Sequence, residues 1–128
     1  MKLLLDTHSV AWAILQVDKL SQPARQTIEE PSNQVHVSIC SAWEIAIKVG
    51  LGKWPEAKVL LHTFEVQIED AGFVLLPIKV AHVRVAGLMQ GSHRDPFDRL
   101  LVAQALVEDL TLVTSDAKVR SMGVPCLW

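Results

Sequence analysis

Short apolar runs alternate along the chain with segments whose apolar residues recur every three or four positions. The apolar runs cover residues 2–6 (KLLLD), 34–40 (QVHVSIC), 73–77 (FVLLP), 111–116 (TLVTSD) and 124–128 (VPCLW). Short runs of this kind, several of them rich in β-branched residues, are typical of strands that are buried on both faces. The pattern therefore predicts five strands.

The segments between these runs carry the spacing and the end signals of helices. The predicted helices cover residues 10–16, 21–30, 41–50, 56–70, 79–89 and 95–109. In the third helix, Ser41 and Glu44 form an S-x-x-E capping box, and Gly50 supplies a left-handed stop. In the last helix, Asp95 and Asp98 occupy the N-cap and N3 positions. Strands separated by helices predict a parallel sheet with helices on both faces, an α/β fold in a single domain over residues 1–128.

The composition is that of a folded globular protein, because half of the residues are hydrophobic and a fifth are charged. No apolar run approaches the roughly 20 residues that span a bilayer, and no signal peptide is visible, so we expect a cytosolic protein without a membrane segment. Cys40 and Cys126 form no C-x-x-C zinc pattern and are interpreted as small buried hydrophobic residues. The net charge of −2 argues against a strong electrostatic nucleic-acid binder. If metal ions hold four of the carboxylates, however, the other residues have a positive net charge.

Four carboxylates are expected at one edge of the predicted sheet. Asp6 and Asp116 end the first and fourth strands, and Glu44 lies in the first helical turn after the second strand. Asp98 begins the helix that runs back toward the start of the fourth strand, so it also lies at the carboxyl edge, where α/β sheets bind ligands. Carboxylates gathered away from water require a positive partner, and divalent cations such as Mg²⁺ prefer oxygen ligands. Two such ions about 4 Å apart activate a water and stabilise the leaving oxygen of a phosphodiester.

Each of these acids also has a purely structural interpretation. Carboxylates are favoured in the first turn of a helix by the dipole and the free amides. Glu44 is explained by its capping box, and Asp95 and Asp98 by capping of the last helix. Asp6 and Asp116 also suit turns that follow strands. The functional interpretation therefore rests on the four acids sharing one edge.

The motifs LLLDTH, SAWEIAIKVGLGKW, HRDPFDRLLVAQAL and LTLVTSD, followed by GVPCLW, resemble the PIN-domain family. The likeness is greatest to the toxin ribonucleases of bacterial VapBC-type toxin–antitoxin pairs. It covers nearly the whole chain and implies a three-layer α/β/α sandwich with strand order 3-2-1-4-5. It also implies Mg²⁺- or Mn²⁺-dependent cleavage of single-stranded or structured RNA. The four acids of the family fall on Asp6, Glu44, Asp98 and Asp116.

The resemblance implies further roles that are less specific. Asp95 belongs to a DPFDR variant and is an accessory candidate. Thr7 and Ser115 adjoin two of the acids and are candidates for holding a water or a phosphate. Toxins of this kind form homodimers, and a small antitoxin protein blocks them by inserting a helix, often with an arginine, into the acidic site. The apolar first helix (Val10, Ala11, Ile14 and Leu15) and the helix that begins at Glu56 are expected to supply partner contacts.

The predicted mechanism is attack of a metal-activated water on an RNA phosphodiester, which leaves a 5′-phosphate and a 3′-hydroxyl. Phosphates need positive partners. Lys48 lies four residues after Glu44, so it either reaches the edge of the site or pairs with Glu44. Arg94 and Arg99 flank the acids of the last helix, where phosphate binding and surface ion pairing are both open.

Two other classes of function were weighed. A phosphotransfer receiver requires adjacent acids after the first strand and an aspartate after the third, but these strands end in DTH and LLP, so this class is excluded. A catalytically inactive PIN-like module that acts through protein or RNA contacts remains the alternative. Histidines offer no rival metal site, because no H-x₃-H pair occurs. Trp12, Trp43, Trp54 and Trp128 are candidates for stacking on RNA bases, but Trp12 and Trp43 are expected on apolar helix faces, where core or interface packing is commoner.

Overall fold

A computed structural model describes all 128 residues of the chain. Its strands form one parallel sheet in the order β3-β2-β1-β4-β5. The strands are β1 (Lys2–Leu5), β2 (Gln34–Ser38), β3 (Val74–Leu76), β4 (Thr111–Val113) and β5 (Cys126–Leu127). The predicted α/β fold and its strand order are confirmed, although each strand is shorter than the apolar run that contains it.

Eight α-helices cover the sheet and its ends. They are α1 (Thr7–Leu15), α2 (Gln22–Glu29), α3 (Ile39–Gly50), α4 (Lys58–His62), α5 (Phe64–Asp70), α6 (Val80–Leu88), α7 (Pro96–Val107) and α8 (Ala117–Arg120). Single 3₁₀ turns, Val17–Lys19 and Pro55–Ala57, precede α2 and α4. The sequence pattern misses α8 and both turns, because helical periodicity is not visible in so few residues. None of the helices is long and apolar enough to cross a membrane.

Successive residues of the central strand β1 belong to different hydrophobic cores. Leu3 and Leu5 pack with residues of α1, α2, α4 and α5 on one face of the sheet. Leu4 packs on the other face with residues of α7 and α8. All three leucines are fully buried, because alternate side chains of a strand point to opposite faces and helices cover both. This packing produces the expected three layers.

The register of the sheet brings the ends of β1, β2 and β4 level. Leu5 pairs with Val37 on one side and with Val113 on the other. The next amide, that of Asp6, donates to the carbonyl of Val113 at 3.1 Å. The neighbours of β1 are reached in opposite directions across the sheet, so its carboxyl end is a topological switch point, where such folds bind ligands.

The start of α3 differs from the predicted capping box. Ser38 is the N-cap, and its hydroxyl accepts a hydrogen bond from the Cys40 amide at 2.9 Å. Ser41 and Glu44 therefore lie inside the helix, where their side chains bind Thr7 instead. Gly50 remains helical, and Gly52 adopts the left-handed conformation with φ of 69°. The capping-box prediction was wrong because the N-cap lies three residues before Ser41, and the stop prediction was wrong because the left-handed residue is Gly52 and not Gly50.

Two other helices also depart from their predicted bounds. The helix predicted over residues 56–70 is divided at Thr63, whose hydroxyl donates to the Val59 carbonyl at 2.8 Å. Such a bond to the preceding turn competes with the regular helical ladder. Helix α1 begins at Thr7, three residues before the predicted start, because Asp6 caps it. Val10 and Ala11 then lie in the core, 0% and 1% exposed, so the prediction that they contact a partner was wrong.

Buried polar contacts join α6 to the end of α7. His82 is fully buried, and its Nδ1 accepts a hydrogen bond from the Lys79 amide at 3.0 Å. Its Nε2 therefore carries the proton and donates to Glu108 at 2.8 Å. This bond holds the pKa of the Glu108 carboxyl below its usual value of 4.5, with a smaller contribution from Lys79.

An exposed apolar stripe runs along α3 and its C-cap. It consists of Ile39, Trp43, Ile47 and Leu51, spaced by four residues, which places them on one helix face. Trp43 is 57% exposed and meets the ring of Phe97 edge-on at 5.1 Å, so core packing of this tryptophan is excluded. Trp12 is half-buried and contacts Trp128.

Candidate metal centre

Asp6 lies at the carboxyl end of the central strand and at the start of α1. Its Oδ1 accepts a hydrogen bond from the Ser9 amide at 2.8 Å, which makes it the N-cap of this helix. The backbone is fixed on the other side by the bond from the Asp6 amide to Val113. The carboxylate is therefore held between two layers of the fold while it remains half-buried.

Glu44 is a buried carboxylate with one donor for each oxygen. Its Oε1 accepts a hydrogen bond from the Thr7 hydroxyl at 2.6 Å, and its Oε2 lies 3.0 Å from Lys48 Nζ. The Thr7 hydroxyl also lies 3.1 Å from Ser41 Oγ. Of the two roles considered for Lys48, the structure has the ion pair with Glu44. The Thr7 hydroxyl therefore donates its hydrogen to Glu44 and orients this carboxylate.

Asp98 lies in the first turn of α7, behind the N-cap Asp95. Asp95 Oδ1 accepts hydrogen bonds from the amides of Phe97 and Asp98, as predicted. Asp98 Oδ2 lies 2.9 Å from His93 Nε2. Burial raises the pKa of the Asp98 carboxyl, the hydrogen bond from His93 opposes this, and the negative charges of Asp95 and Glu44 raise it further. An uncompensated carboxylate is thus unfavourable at this position.

Asp116 follows β4 and caps α8, with Oδ1 accepting from the Lys118 amide at 2.9 Å. It lines an open cavity of about 550 Å³ without a single hydrophobic residue in its wall. The wall is formed by Ser92, His93, Arg94, Asp95, Asp98, Asp116, Lys118 and Ser121. Asp98 and Asp116, which are remote in sequence, therefore face one polar space. Ser115 is exposed beside it and forms no hydrogen bond through its hydroxyl.

Three of the acids lie near enough to Cys40 to affect its thiol. Burial raises the pKa of the Cys40 thiol to about 12, and the negative charges of Glu44, Asp95 and Asp98 contribute. On the other side of the edge, burial raises the pKa of the half-buried Cys126 thiol, Arg120 opposes this, and Asp6 adds to it. Both thiols are free. Cys40 is buried as predicted, whereas Cys126 is only partly so.

The side chains of the four acids do not converge on one point. No three of the His, Cys, Asp and Glu side chains are grouped closely enough to hold a single metal ion. Asp6 and Asp116 each cap a helix, and Glu44 is paired with Lys48. The donor chemistry nevertheless suits a hard divalent cation, because every donor is a carboxylate oxygen and such ions prefer oxygen ligands.

The candidate phosphate-binding residues fall into different surroundings. Arg94 lines the polar cavity together with Lys118. Arg99 turns away from the cavity, donates to the Met89 carbonyl, and buries its Nε without a partner. The sequence signals gave no indication that His93 binds Asp98, since the two lie on a loop and a helix with no fixed spacing. They also did not reveal that Thr7 binds Glu44, a contact across 37 positions.

Residues 3–125 match the model of a family described as the PIN domain. The chain is 31% identical over 122 residues to ribonuclease VapC22 of Mycobacterium tuberculosis (strain ATCC 25618 / H37Rv), covering 95% of this chain and 92% of that protein. Among solved structures, it resembles VapBC2 from Rickettsia felis bound to a promoter DNA fragment, with a TM-score of 0.71, 15% identity and 100% and 99% of the two chains covered. It also resembles VapBC-1 from nontypeable Haemophilus influenzae, with a TM-score of 0.69, 16% identity and 99% and 97% covered. These two likenesses show a shared fold.

Proposed function

The chain belongs to the PIN-domain family, and we propose that it is a metal-dependent endoribonuclease of the VapC type, the toxin of a toxin–antitoxin pair. The relative at 31% identity over nearly its whole length is a ribonuclease. The observation that carries the proposal is that Asp98 and Asp116, which are remote in sequence, line one polar cavity at the carboxyl edge of the sheet. Their negative charges would attract a divalent cation and repel bare RNA, so cleavage would depend on the metal.

Asp6, Glu44, Asp98 and Asp116 would hold Mg²⁺ or Mn²⁺, with Asp95 as an accessory acid, and their carboxylates would have to move closer together to do so, because no three of them are grouped around one point in this structure. When bound, such an ion supplies Lewis acidity and activates water for attack on a phosphodiester. The side chains around these acids have their own tasks. Thr7 and Lys48 hold the Glu44 carboxylate in one orientation, and His93 does the same for Asp98. The carboxylates of Glu44 and Asp98 would therefore already have a fixed orientation when the substrate binds.

The polar cavity supplies the positive groups that a phosphodiester needs. Arg94 and Lys118 stand in its wall beside Asp98 and Asp116. They would bind the phosphates that flank the cleaved bond, because cationic side chains replace the counterions of the RNA. Hydrolysis in this geometry would leave a 5′-phosphate on one fragment and a 3′-hydroxyl on the other. Since RNA substrates are present in the cytosol, we propose that the protein acts there.

The test is incubation of the purified protein with total RNA in Mg²⁺, Mn²⁺ or a chelator, followed by sequencing of the new ends. We expect cuts in either metal and none in the chelator. Asp6→Asn should abolish cleavage and leave the thermal midpoint similar or higher, because repulsion among the acids is relieved. The matched control is Asp18→Asn, whose side chain is 97% exposed and lies outside the site. Full metal-dependent activity in Asp6→Asn would contradict the assignment.

We also propose that the protein forms a homodimer and binds a small antitoxin protein. The solved structures it resembles include VapBC complexes. The exposed stripe of α3 offers an apolar surface to a second copy, while Leu15, Val59 and Val66 stay exposed as antitoxin contacts. The antitoxin would present a positively charged residue, such as arginine, to the acidic site. Co-expression with the product of the adjacent reading frame should then suppress RNA cleavage, and undiminished cleavage would argue against this partner.

A further inference from the structure

A second cavity, of about 570 Å³, opens beside the carboxyl edge, and Lys48 is the only one of its lining residues with a role in the site described above. Six of its residues give it an aromatic and basic wall: His8, Trp12, Lys19, Lys48, Lys53 and Trp54. Glu56 is the only carboxylate that lines it. A cavity of this composition suits a ligand that is both aromatic and negatively charged.

The aromatic part of the wall is continuous. The ring of His8 stacks on Trp54 with centroids 5.1 Å apart and an angle of 27° between the planes. The same imidazole lies 5.6 Å from Trp12 at an angle of 49°. His8 is exposed and both indoles are partly exposed, so this surface is open to solvent. Nucleobases stack on such surfaces with little regard to sequence, because every base has a π-face.

The cationic part of the wall is available for phosphate. Lys19 and Lys53 are exposed and take part in no ion pair. Lys48 Nζ lies 5.6 Å from the centre of the Trp54 ring while it pairs with Glu44. Two free ammonium groups against one carboxylate leave a positive balance, which favours the backbone of a nucleic acid.

The cavity adjoins the acids. His8 follows Thr7, whose hydroxyl donates to Glu44, and Lys48 forms part of the wall while its ammonium contacts the other oxygen of Glu44. A strand whose phosphodiester lies at the acids would therefore meet the aromatic wall with a neighbouring nucleotide. An acidic peptide would use the lysines but would leave the stacked rings without a matching group.

We propose that this cavity is a nucleotide subsite for single-stranded RNA, in which one base stacks on the aromatic wall and Lys19 and Lys53 bind the adjoining phosphates. The proposal rests on the ribonuclease function proposed above and adds to it a defined binding site for one base and its adjoining phosphates. The subsite anchors the strand next to the cleaved bond.

The experiment measures RNA binding without turnover, in the Asp6→Asn background with Mg²⁺, by fluorescence anisotropy of a labelled oligouridylate of about ten nucleotides. Lys19→Ala combined with Lys53→Ala should reduce the slope of log affinity against log salt by about 1.4, since each phosphate contact with a single strand contributes about 0.7. The matched control combines Lys2→Ala with Lys58→Ala, which changes the net charge equally at exposed positions outside the cavity.

Stacking is tested with an oligonucleotide from which bases have been removed. The protein should prefer the intact strand about 5- to 150-fold, the range that one stacked base supplies. Trp54→Leu should lose this preference, with its fold checked by circular dichroism because Trp54 packs against the core. If Trp54→Leu does not fold, stacking is still tested by comparing the affinities of the protein that keeps Trp54 for the intact and the base-free strand.

Equal affinity for intact and base-free strands, with a salt slope in the Lys19 and Lys53 variant equal to that of the control, would overturn the subsite. That result is expected if RNA binds elsewhere on the protein and the cavity is occupied by a protein partner instead. The proposed ribonuclease function would survive it if the unsubstituted protein still cut RNA in Mg²⁺. Absence of cleavage by the unsubstituted protein would instead refute the function itself.

Discussion

Replacement of Thr7 by valine should show how much one buried hydroxyl contributes to the candidate site. Thr7 is 3% exposed, and its hydroxyl donates to Glu44 at 2.6 Å. Valine keeps the shape of the side chain and removes the donor. A hydrogen bond to a charged group contributes about 1.5–3 kcal/mol, so we expect Thr7→Val to lower the free energy of unfolding by that amount.

The assay is urea unfolding at pH 7 in a chelator, followed by tryptophan fluorescence. The matched control is Thr27→Val, because Thr27 is exposed and donates to the Pro23 carbonyl of its own helix. We expect this control to change stability by no more than about 0.5 kcal/mol. In a Glu44→Gln background, Thr7→Val should lower the free energy of unfolding by only about 0.5–1.5 kcal/mol, because the acceptor of the hydrogen bond is then neutral. The same cost in both backgrounds, or a change as small as that of the control, would refute the reasoning.

Two further predictions concern pH and association. Because the hydrogen bond from His82 lowers the folded-state pKa of Glu108, its stabilisation is present above about pH 4.5 and is lost as pH falls through the lowered pKa. The difference in unfolding free energy between the natural protein and Glu108→Gln should therefore shrink in urea titrations below about pH 4.5, and a difference that grows on acidification would contradict this. Ile47→Glu should convert a dimer to a monomer in sedimentation analysis, because it places a charge in the α3 stripe, whereas Val66→Glu, at a more exposed position on α5, should leave the dimer intact.

The strand order and the edge that bears the acids follow from short-range pattern and general topology. Apolar runs that end in Asp6 and Asp116, with helices between them, are sufficient to place both residues at the carboxyl edge of a parallel sheet. The N-cap role of Asp95 was also predictable, because its two acceptor contacts involve amides two and three residues away. Predictions held where the interacting groups are close in sequence.

The failures arise where a distant residue decides the local structure. Ser41 and Glu44 match a capping box, yet both side chains contact Thr7, more than 30 positions earlier. No rule of sequence spacing connects residues so far apart. Ser38, the actual N-cap of α3, lies in an apolar run that was predicted to be a strand. The pairing of His93 with Asp98 spans only five positions, but it was not predictable either, because its geometry depends on the loop before α7. Tertiary contacts therefore determine the orientation of the acids, even where the sequence locates them.

The position of β1 in the middle of the sheet affects how the protein is made. The hydroxyl of Ser9 donates to the Val113 carbonyl, which lies 104 positions further along the chain. A ribosome adds about 5–20 residues per second, so for several seconds the nascent chain contains the first of these groups without the second. The strand β4 and the Asp116 beyond it emerge late, and until then Leu4 lacks its β4 neighbour. A partly synthesised chain consequently cannot assemble the complete acidic edge, and the cell that translates it is not exposed to the nuclease until β4 and Asp116 have left the ribosome.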